Sequence, residues 1–149
     1  DGERLLVKGR RAEHIAMQIA MKSRAELTLL HIIPPMDLDY PTARTVSRNW
    51  QTLVETDTPV GRSLRQAMEI AKADGLTANI IARQGNVVEE ILAEVKKENY
   101  DLLCMGSSFS ANALRQLYAP NVTAEIAESV MCPVLTARYK HEFSTLEQK

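Results

Sequence analysis

The sequence predicts an α/β protein built on an open, doubly wound, five-stranded parallel sheet with helices on both faces. Short apolar runs alternate with longer stretches of helical periodicity, which is the pattern of βαβ units. The 149 residues suit one domain and are too few for two independent cores. Right-handed crossovers between parallel strands then leave few topologies other than the doubly wound sheet.

Five apolar runs are the predicted strands. The second run is almost continuously apolar, which is typical of a strand covered on both faces, and Pro34 and Pro35 end it. We interpret His31, which lies inside this run, as a core histidine with no catalytic role. The predicted strands are residues 4–7, 26–33, 77–83, 101–105 and 133–137.

Four helices are predicted between the strands, because apolar residues recur there every three or four positions. Residues 60–73 and 87–98 give the clearest patterns, and Gly75 ends the first of these two helices. On the second of them, Glu94 is predicted to face solvent with the other charged residues. The apolar positions include Ile15 and Ile19, Leu64 and Met68, Val88, Ile91, Leu92 and Val95, and Val122, Ile126 and Val130.

The predicted domain covers residues 1–138, and residues 139–149 form a polar tail. Residues 36–58 are polar and irregular, and we assign no role to this long loop. Cys104 and Cys132 lie in apolar surroundings, so both are predicted to be buried free thiols. Since no leader pattern and no paired-cysteine framework is visible, we expect a cytoplasmic protein.

Composition excludes several classes of function. The formal net charge is −1, so there is no bulk attraction to nucleic acid or to an anionic membrane. The longest apolar runs are shorter than the roughly 20 residues that span a bilayer, so we expect no membrane insertion. His14, His31 and His141 lack the spacing of metal ligands. The sequence therefore predicts no catalytic residue and no metal site.

A ligand site is expected where the strands end, since open parallel sheets bind ligands at the carboxyl ends of their strands. Gly106, Ser107 and Ser108 form a predicted turn there, whose N–H and hydroxyl groups are suited to bind an anion. Asn121 is a good N-cap for the helix that starts at Val122. The alternative is that Gly106 only completes a turn and Asn121 only caps its own helix.

The sequence resembles a universal stress protein domain along nearly its whole length. The resemblance is strongest where Met105-Gly106-Ser107 closes a strand and Cys132-Pro133-Val134-Leu135 opens the last one. It also includes Gly85-Asn86-Val87-Val88 and Val122-Thr123-Ala124-Glu125. The resemblance implies a Rossmann-like fold of the adenine nucleotide alpha hydrolase-like type. It implies a non-enzymatic stress-response or regulatory role and contact with a regulatory protein that the sequence does not identify.

The resemblance also implies that ATP, with Mg²⁺, is the candidate cofactor, held in the crevice at the strand ends. Gly9 after the first strand and Ile32 at the end of the second would then join Gly106, Ser107, Ser108, Asn121 and Val122 at the site. A homodimer is expected through the last strand, which begins at Pro133 and reaches Arg138.

The nucleotide motif of the family is altered in this chain. Family members that bind ATP carry Gly-x-x-Gly after the fourth strand, but Phe109 stands at the second glycine. Pro120 and Asn121 occupy the place of a Gly-Ser/Thr pair, and the aspartate after the first strand is replaced by Lys8-Gly9-Arg10. A phenylalanine disfavours positive φ and a proline lacks an N–H, so a degenerate phosphate site is expected.

Two alternatives from other functional classes remain. One is a cytoplasmic regulatory module of a larger membrane transporter or antiporter. The first residue, Asp1, fits such a fragment and fits the removal of a tag or a disordered start equally well. Weak ATP hydrolysis is a further alternative, but no convincing catalytic base accompanies the candidate phosphate site.

Overall fold

The computed structural model describes residues 2–33, 55, 57–107 and 122–138. Most of the predicted loop 36–58 and the whole tail 139–149 lie outside these residues. Five strands and four helices of the predicted pattern are present in the described residues. In chain order they are β1 Arg4–Lys8, α1 Arg10–Ser23, β2 Glu26–Ile33, α2 Pro59–Ala73, β3 Ala78–Gln84, α3 Val87–Lys97, β4 Leu102–Ser107, α4 Val122–Ser129 and β5 Val134–Arg138.

The strands form one sheet in the order β3-β2-β1-β4-β5, and every neighbouring pair is parallel. The chain builds the sheet outwards from β1 in one direction, and then crosses to β4 on the other side of β1. The fold class is confirmed: this is an open, doubly wound, five-stranded parallel sheet. The change of direction places the topological switch point between β1 and β4.

The two faces of the sheet are covered by different helices. Residues of α1 and α2, among them Ala16, Ala20 and Leu64, pack on one face in a core cluster with Leu5, Val7, Leu27 and Leu29. Ile91 of α3 and Ile126 of α4 pack on the other face in a cluster with Leu6, Leu30 and Leu103. Alternate residues of the same strand therefore serve opposite cores, which explains why the strand sequences are almost continuously apolar.

Local capping sets the ends of two helices. The Asn86 side chain accepts a hydrogen bond from the Glu89 N–H at 3.1 Å and starts α3. Thr58 accepts one from the Gly61 N–H at 3.0 Å and starts α2, which has Pro59 in its first turn. Gly75, with φ of 77°, follows the end of α2 as the sequence predicted.

The end of β4 differs from the prediction. Gly106 and Ser107 were predicted in a turn, but both continue the strand, opposite Ala137 and Arg138 of β5. The strand is longer because β5 extends to Arg138 and offers a hydrogen-bonding partner at both positions. Ser108, the third residue of the predicted turn, lies outside the described residues.

Two predictions of burial were wrong. Glu94 was assigned to the solvent face of α3, yet it is only 1% exposed. Its carboxylate accepts hydrogen bonds from the Tyr100 hydroxyl at 2.9 Å and from the Arg83 guanidinium at 3.3 Å, and these donors replace water. Cys104 is buried as expected, but Cys132 is partly exposed because it lies in the short connection before β5.

Candidate functional site

The carboxyl ends of β1 and β4 meet closely at the switch point. A Cβ atom placed on Gly9 would lie 3.4 Å from the backbone nitrogen of Gly106 and 3.6 Å from its Cα. Gly9 and Gly106, which were both selected from the sequence and are 97 positions apart, therefore lie within contact distance of each other. Their backbones form the floor of the crevice where this fold class binds ligands.

Gly9 also shapes the start of α1. Its φ of 98° and ψ of 139° lie in a region that side chains rarely adopt, so the turn after β1 requires glycine. Because glycine has no side chain, no side chain at the cap position accepts from the first N–H groups of α1. The Ala12 N–H donates to the Gly9 carbonyl at 3.2 Å, and the positive end of the α1 dipole lies beside the crevice.

Ile32 lies where β2 projects beyond β1. The pairing of β1 with β2 ends at Lys8 opposite Leu30, whereas the pairing of β2 with β3 continues to Ile33. The edge of residues 31–33 that faces β1 therefore borders the crevice. The Ile32 side chain is 4% exposed and belongs to the core, so only its backbone is placed to meet a ligand.

A cavity of about 280 Å³ opens beside this edge. It lies at the carboxyl ends of β1 and β2 and between the first turns of α1 and α2. Its volume is just below the usual range of small-molecule sites, roughly 300 to 1,000 Å³, so it suits a ligand of mononucleotide size better than a larger one. The lining residues are Val7, Lys8, Gly9, Glu13, Leu29, Leu30, His31, Pro59, Val60, Ser63 and Leu64.

Two ionisable side chains in this cavity have shifted pKa values. Burial lowers the pKa of the Lys8 ammonium below its ordinary value. Burial, and then the positive charge of Lys8, lower the pKa of His31 to about 4. At neutral pH the His31 imidazole is therefore neutral and has one N–H donor and one acceptor nitrogen.

The remaining residues selected from the sequence are only partly covered by the structure. Val122 begins α4 and is partly buried against the core cluster of α3 and α4. Ser107 ends β4 beside the crevice. Ser108 and Asn121 lie outside the described residues, as do Phe109 and Pro120.

A larger cavity, of about 1010 Å³, lies at the opposite edge of the sheet. It is lined by residues at the amino ends of the strands and the last turns of α1 and α2. Its charged lining residues are four carboxylates and two arginines: Glu3, Glu26, Asp74, Asp101, Arg4 and Arg24. Helix C-termini carry the negative end of the dipole, and these carboxylates add negative charge. An anionic ligand is therefore expected to bind more favourably in the smaller cavity, at the carboxyl ends of the strands.

A second polar cluster joins α3 to the sheet. Arg83 donates to Glu90 at 2.7 Å and to Glu94 at 3.3 Å, and Tyr100 donates to Glu94 at 2.9 Å. The Arg4 guanidinium lies 5.0 Å from the centre of the Tyr100 ring. Burial and the neighbouring Glu94 raise the pKa of Tyr100. Since Arg83, Tyr100 and the two carboxylates satisfy one another, we interpret the cluster as structural.

The sequence did not identify the polar and ionisable side chains that line the cavity. Lys8 was noted only as part of a turn, and His31 was assigned to the core. Ser63 was not considered, because it belongs to α2 and approaches the strand ends only in the folded protein. One signal was available for Lys8, since a lysine that directly follows a buried apolar strand lies at the ligand edge of a parallel sheet.

In residues 2–33, 55, 57–107 and 122–138, no three histidine, cysteine or acidic side chains lie close enough together to hold a metal ion. Within the same residues, no helix has the length and apolar character needed to cross a membrane.

The fold and the crevice together define an open, doubly wound α/β domain with a candidate ligand site at its switch point. The chain belongs to the universal stress protein family, because the model of the "Universal stress protein family" matches residues 7–138. This confirms the resemblance found in the sequence. A comparison with curated proteins found no match.

Solved structures of the family share the fold. A universal stress protein in complex with cAMP has a TM-score of 0.67 at 21% identity, covering 93% of this chain and 98% of that one. Universal stress protein UspA from Lactobacillus plantarum has a TM-score of 0.68 at 18% identity, covering 91% and 97%. An Arabidopsis thaliana family protein with AMP bound has a TM-score of 0.62 at 17% identity, covering 94% and 93%. Identities at this level establish the fold alone.

Proposed function

We propose that this protein is a non-enzymatic regulatory domain that binds an adenine mononucleotide at the switch-point crevice. The observation that carries the proposal is the cavity of about 280 Å³ beside the contact of Gly9 with Gly106. Relatives of the same fold are described in complex with cAMP and with AMP. The cavity size favours AMP or cAMP over ATP, and the altered residues Phe109 and Pro120 disfavour a long phosphate chain.

The proposal of a regulatory role without catalysis rests on the small number of acid and base side chains among the described residues of the cavity. Among the described residues that line the cavity, Glu13 is the single carboxylate, and His31 is the single histidine. Ligand binding is then the event that the protein transmits, through contact with a partner protein in the cytoplasm. The free thiols Cys104 and Cys132 support a reducing compartment.

The proposed assembly is a homodimer through β5. In the described residues this strand pairs with β4 along one edge, and we infer that a second copy pairs along the other. Sedimentation equilibrium at micromolar concentration should give twice the 16.7 kDa of one chain. A mass of one chain throughout the concentration range would contradict the dimer and leave the nucleotide site unaffected.

Thermal unfolding with added ligand tests the nucleotide site. A ligand at about 100 times its dissociation constant stabilises a protein by roughly 2.7 kcal/mol, which corresponds to about 5 to 10 °C for a chain of this size. We expect such a shift with AMP or cAMP. The Ser63→Leu variant, which fills the cavity, should lose the shift. Gln66→Leu, a matched control on the exposed side of α2, should keep it.

The absence of a shift with AMP, cAMP and ATP at about 1 mM would overturn the nucleotide proposal. Equal shifts in the Ser63→Leu variant and in the Gln66→Leu control would place the ligand elsewhere on the protein. ATP hydrolysis above the background of the buffer would contradict the non-enzymatic role.

A further inference from the structure

The larger cavity, of about 1010 Å³, has an apolar floor. It is formed by the last turns of α1 and α2 and by the amino ends of the strands. Its lining includes Ala20 and Ala25, which are buried in the core, and Leu76, which is partly buried against the same core. This apolar floor lies at the edge of the sheet opposite to the proposed nucleotide site.

Two large apolar side chains at this end of the helices are exposed to solvent. Met21 of α1, which lines the cavity, is 49% exposed, and Ile70 of α2 is 46% exposed. Ile70 lies one turn before the lining residue Asp74, whose N–H donates to the Ile70 carbonyl at 3.0 Å. Exposed apolar side chains beside a polar rim are typical of surfaces that bind another protein.

Carboxylates form most of the charged rim of this cavity. Glu3 and Asp74 are exposed, and among the described residues no ion pair involves either of them. Asp101 accepts from the Arg4 backbone N–H at 2.7 Å, and Glu26 accepts from an asparagine amide at 2.8 Å, each through one of its two oxygens. Asp74 is also the C-cap of α2, where its charge adds to the negative end of the helix dipole.

The basic residues nearby do not cancel this negative charge. The Arg4 guanidinium donates to Glu98 at 3.2 Å, so a carboxylate outside the lining already balances it. Arg24 is the C-cap of α1 and compensates the dipole of that helix. Lys22 and Lys72, in the last turns of the two helices, are exposed and do not belong to the described lining. The four lining carboxylates therefore give the cavity a negative potential.

The size of the cavity and the exposure of its rim favour a protein segment over a small molecule. The volume of about 1010 Å³ is at the upper limit of small-molecule sites, roughly 300 to 1,000 Å³. Such sites enclose most of the surface of their ligand. Here Glu3, Arg24 and Asp74 are exposed lining residues, so the cavity is a broad depression in the surface. A protein segment is large enough to cover the floor together with Met21 and Ile70.

We propose that this cavity is the docking site for a basic amphipathic segment of the partner protein, with lysine or arginine on the acidic rim and an apolar side chain against the floor. The inference rests on the proposed regulatory role, which requires a partner, and not on the nucleotide site. Both α1 and α2 begin at the smaller cavity and end at the larger one. The two helices therefore connect the proposed nucleotide site with the proposed docking site.

Fluorescence anisotropy with labelled peptides tests the charged rim. The probe is a peptide of about 12 residues with lysine on one helical face and leucine on the other, and its comparison peptide has glutamate in place of lysine. We expect the lysine peptide alone to bind, and added salt to weaken it. Glu3→Gln combined with Asp74→Asn should weaken binding about fivefold, since two exposed ion pairs are lost. Glu69→Gln combined with Glu128→Gln removes two exposed carboxylates outside the cavity, and this control should bind as the wild type does.

A second pair of variants tests the apolar contact. Met21→Ser should weaken the lysine peptide about fivefold, because an apolar side chain that the peptide covers is lost. Met131→Ser is the matched control, since Met131 is 98% exposed and does not line the cavity. It should leave the affinity unchanged.

Three results would overturn the inference. The lysine peptide could fail to bind at about 1 mM. Equal affinities in the rim variant and in its control would mean that only net charge matters. Displacement of the peptide by an equal concentration of spermidine would mean that the site takes a small polycation and not a protein segment. The thermal shift with AMP, measured on the same variants, reports on the nucleotide site separately, so either proposal can fail while the other stands.

Discussion

Acid should destabilise this protein through His31. The folded-state pKa of His31 is about 4, and an unfolded histidine has a pKa near 6.5. At a pH between these values the unfolded chain binds a proton that the folded protein excludes. Stability is therefore complete above about pH 6.5 and falls as the pH decreases towards 4. Burial is the larger cause of the lowered pKa, and the positive charge of Lys8 is the second.

The expected loss follows from the two pKa values. Between about pH 7.5 and pH 5, the proton linkage of one such histidine lowers the free energy of unfolding by roughly 2 kcal/mol. Because the ring borders an open cavity, screening by water brings the expected loss to about 1 to 2 kcal/mol.

Urea unfolding at both pH values, in the wild type and in His31→Gln, isolates this contribution. The glutamine keeps a polar group at the position but does not titrate. All other acidic and basic groups are common to both proteins, including His14 and His141, so their effects cancel in the difference. We expect the wild type to lose about 1 to 2 kcal/mol more than the variant. Equal losses in the two proteins would refute the reasoning.

A histidine titration by nuclear magnetic resonance tests the second cause. Replacing Lys8 by methionine removes the positive charge and should raise the pKa of His31. Since burial accounts for more than half of the lowering from 6.5 to about 4, the rise should be at most about 1 pH unit. No rise would mean that the two side chains do not interact.

Two further predictions concern stability at the crevice and in the polar cluster of α3. Gly9→Ala should lower the free energy of unfolding by about 1 to 3 kcal/mol, because φ is 98° at this position, while Gly2→Ala should have almost no effect. Urea unfolding measures both, and equal stabilities would contradict the strain at Gly9. Tyr100→Phe should lower it by about 1 to 3 kcal/mol by depriving the buried Glu94 of a donor. Glu98→Gln, which breaks an ion pair that is 41% exposed on the glutamate side, should change it by less than about 1 kcal/mol.

Most of the fold could be predicted because its signals are local. The alternation of strand and helix follows from the spacing of apolar residues, as in Leu27 and Leu29 of β2 or Leu64 and Ala67 of α2. The ends of the strands and helices were harder to predict than their presence. The extension of β4 through Gly106 and Ser107 depends on a hydrogen-bonding partner in β5, which lies about thirty positions further along the chain.

The candidate site was predictable in its location and not in its chemistry. Gly9 and Gly106 could be selected because both follow predicted strands, and the strand order then brings them into contact. Lys8, His31 and Ser63 come from three different elements, and no spacing in the sequence relates them. Their meeting depends on the parallel register of β1 and β2 and on the position of α2 above them.

In the core, Glu94 likewise shows what the sequence predicts and what only the tertiary structure decides. The sequence determined that α3 is an amphipathic helix, since Val88, Ile91, Leu92 and Val95 repeat with its period. Periodicity alone assigned Glu94 to solvent. Only the tertiary structure brings Arg83 from β3 and Tyr100 from the segment before β4 to the carboxylate, and these donors make its burial possible. Local pattern thus determined the elements and the family, while contacts between distant residues decided which polar side chains are buried and which face the site.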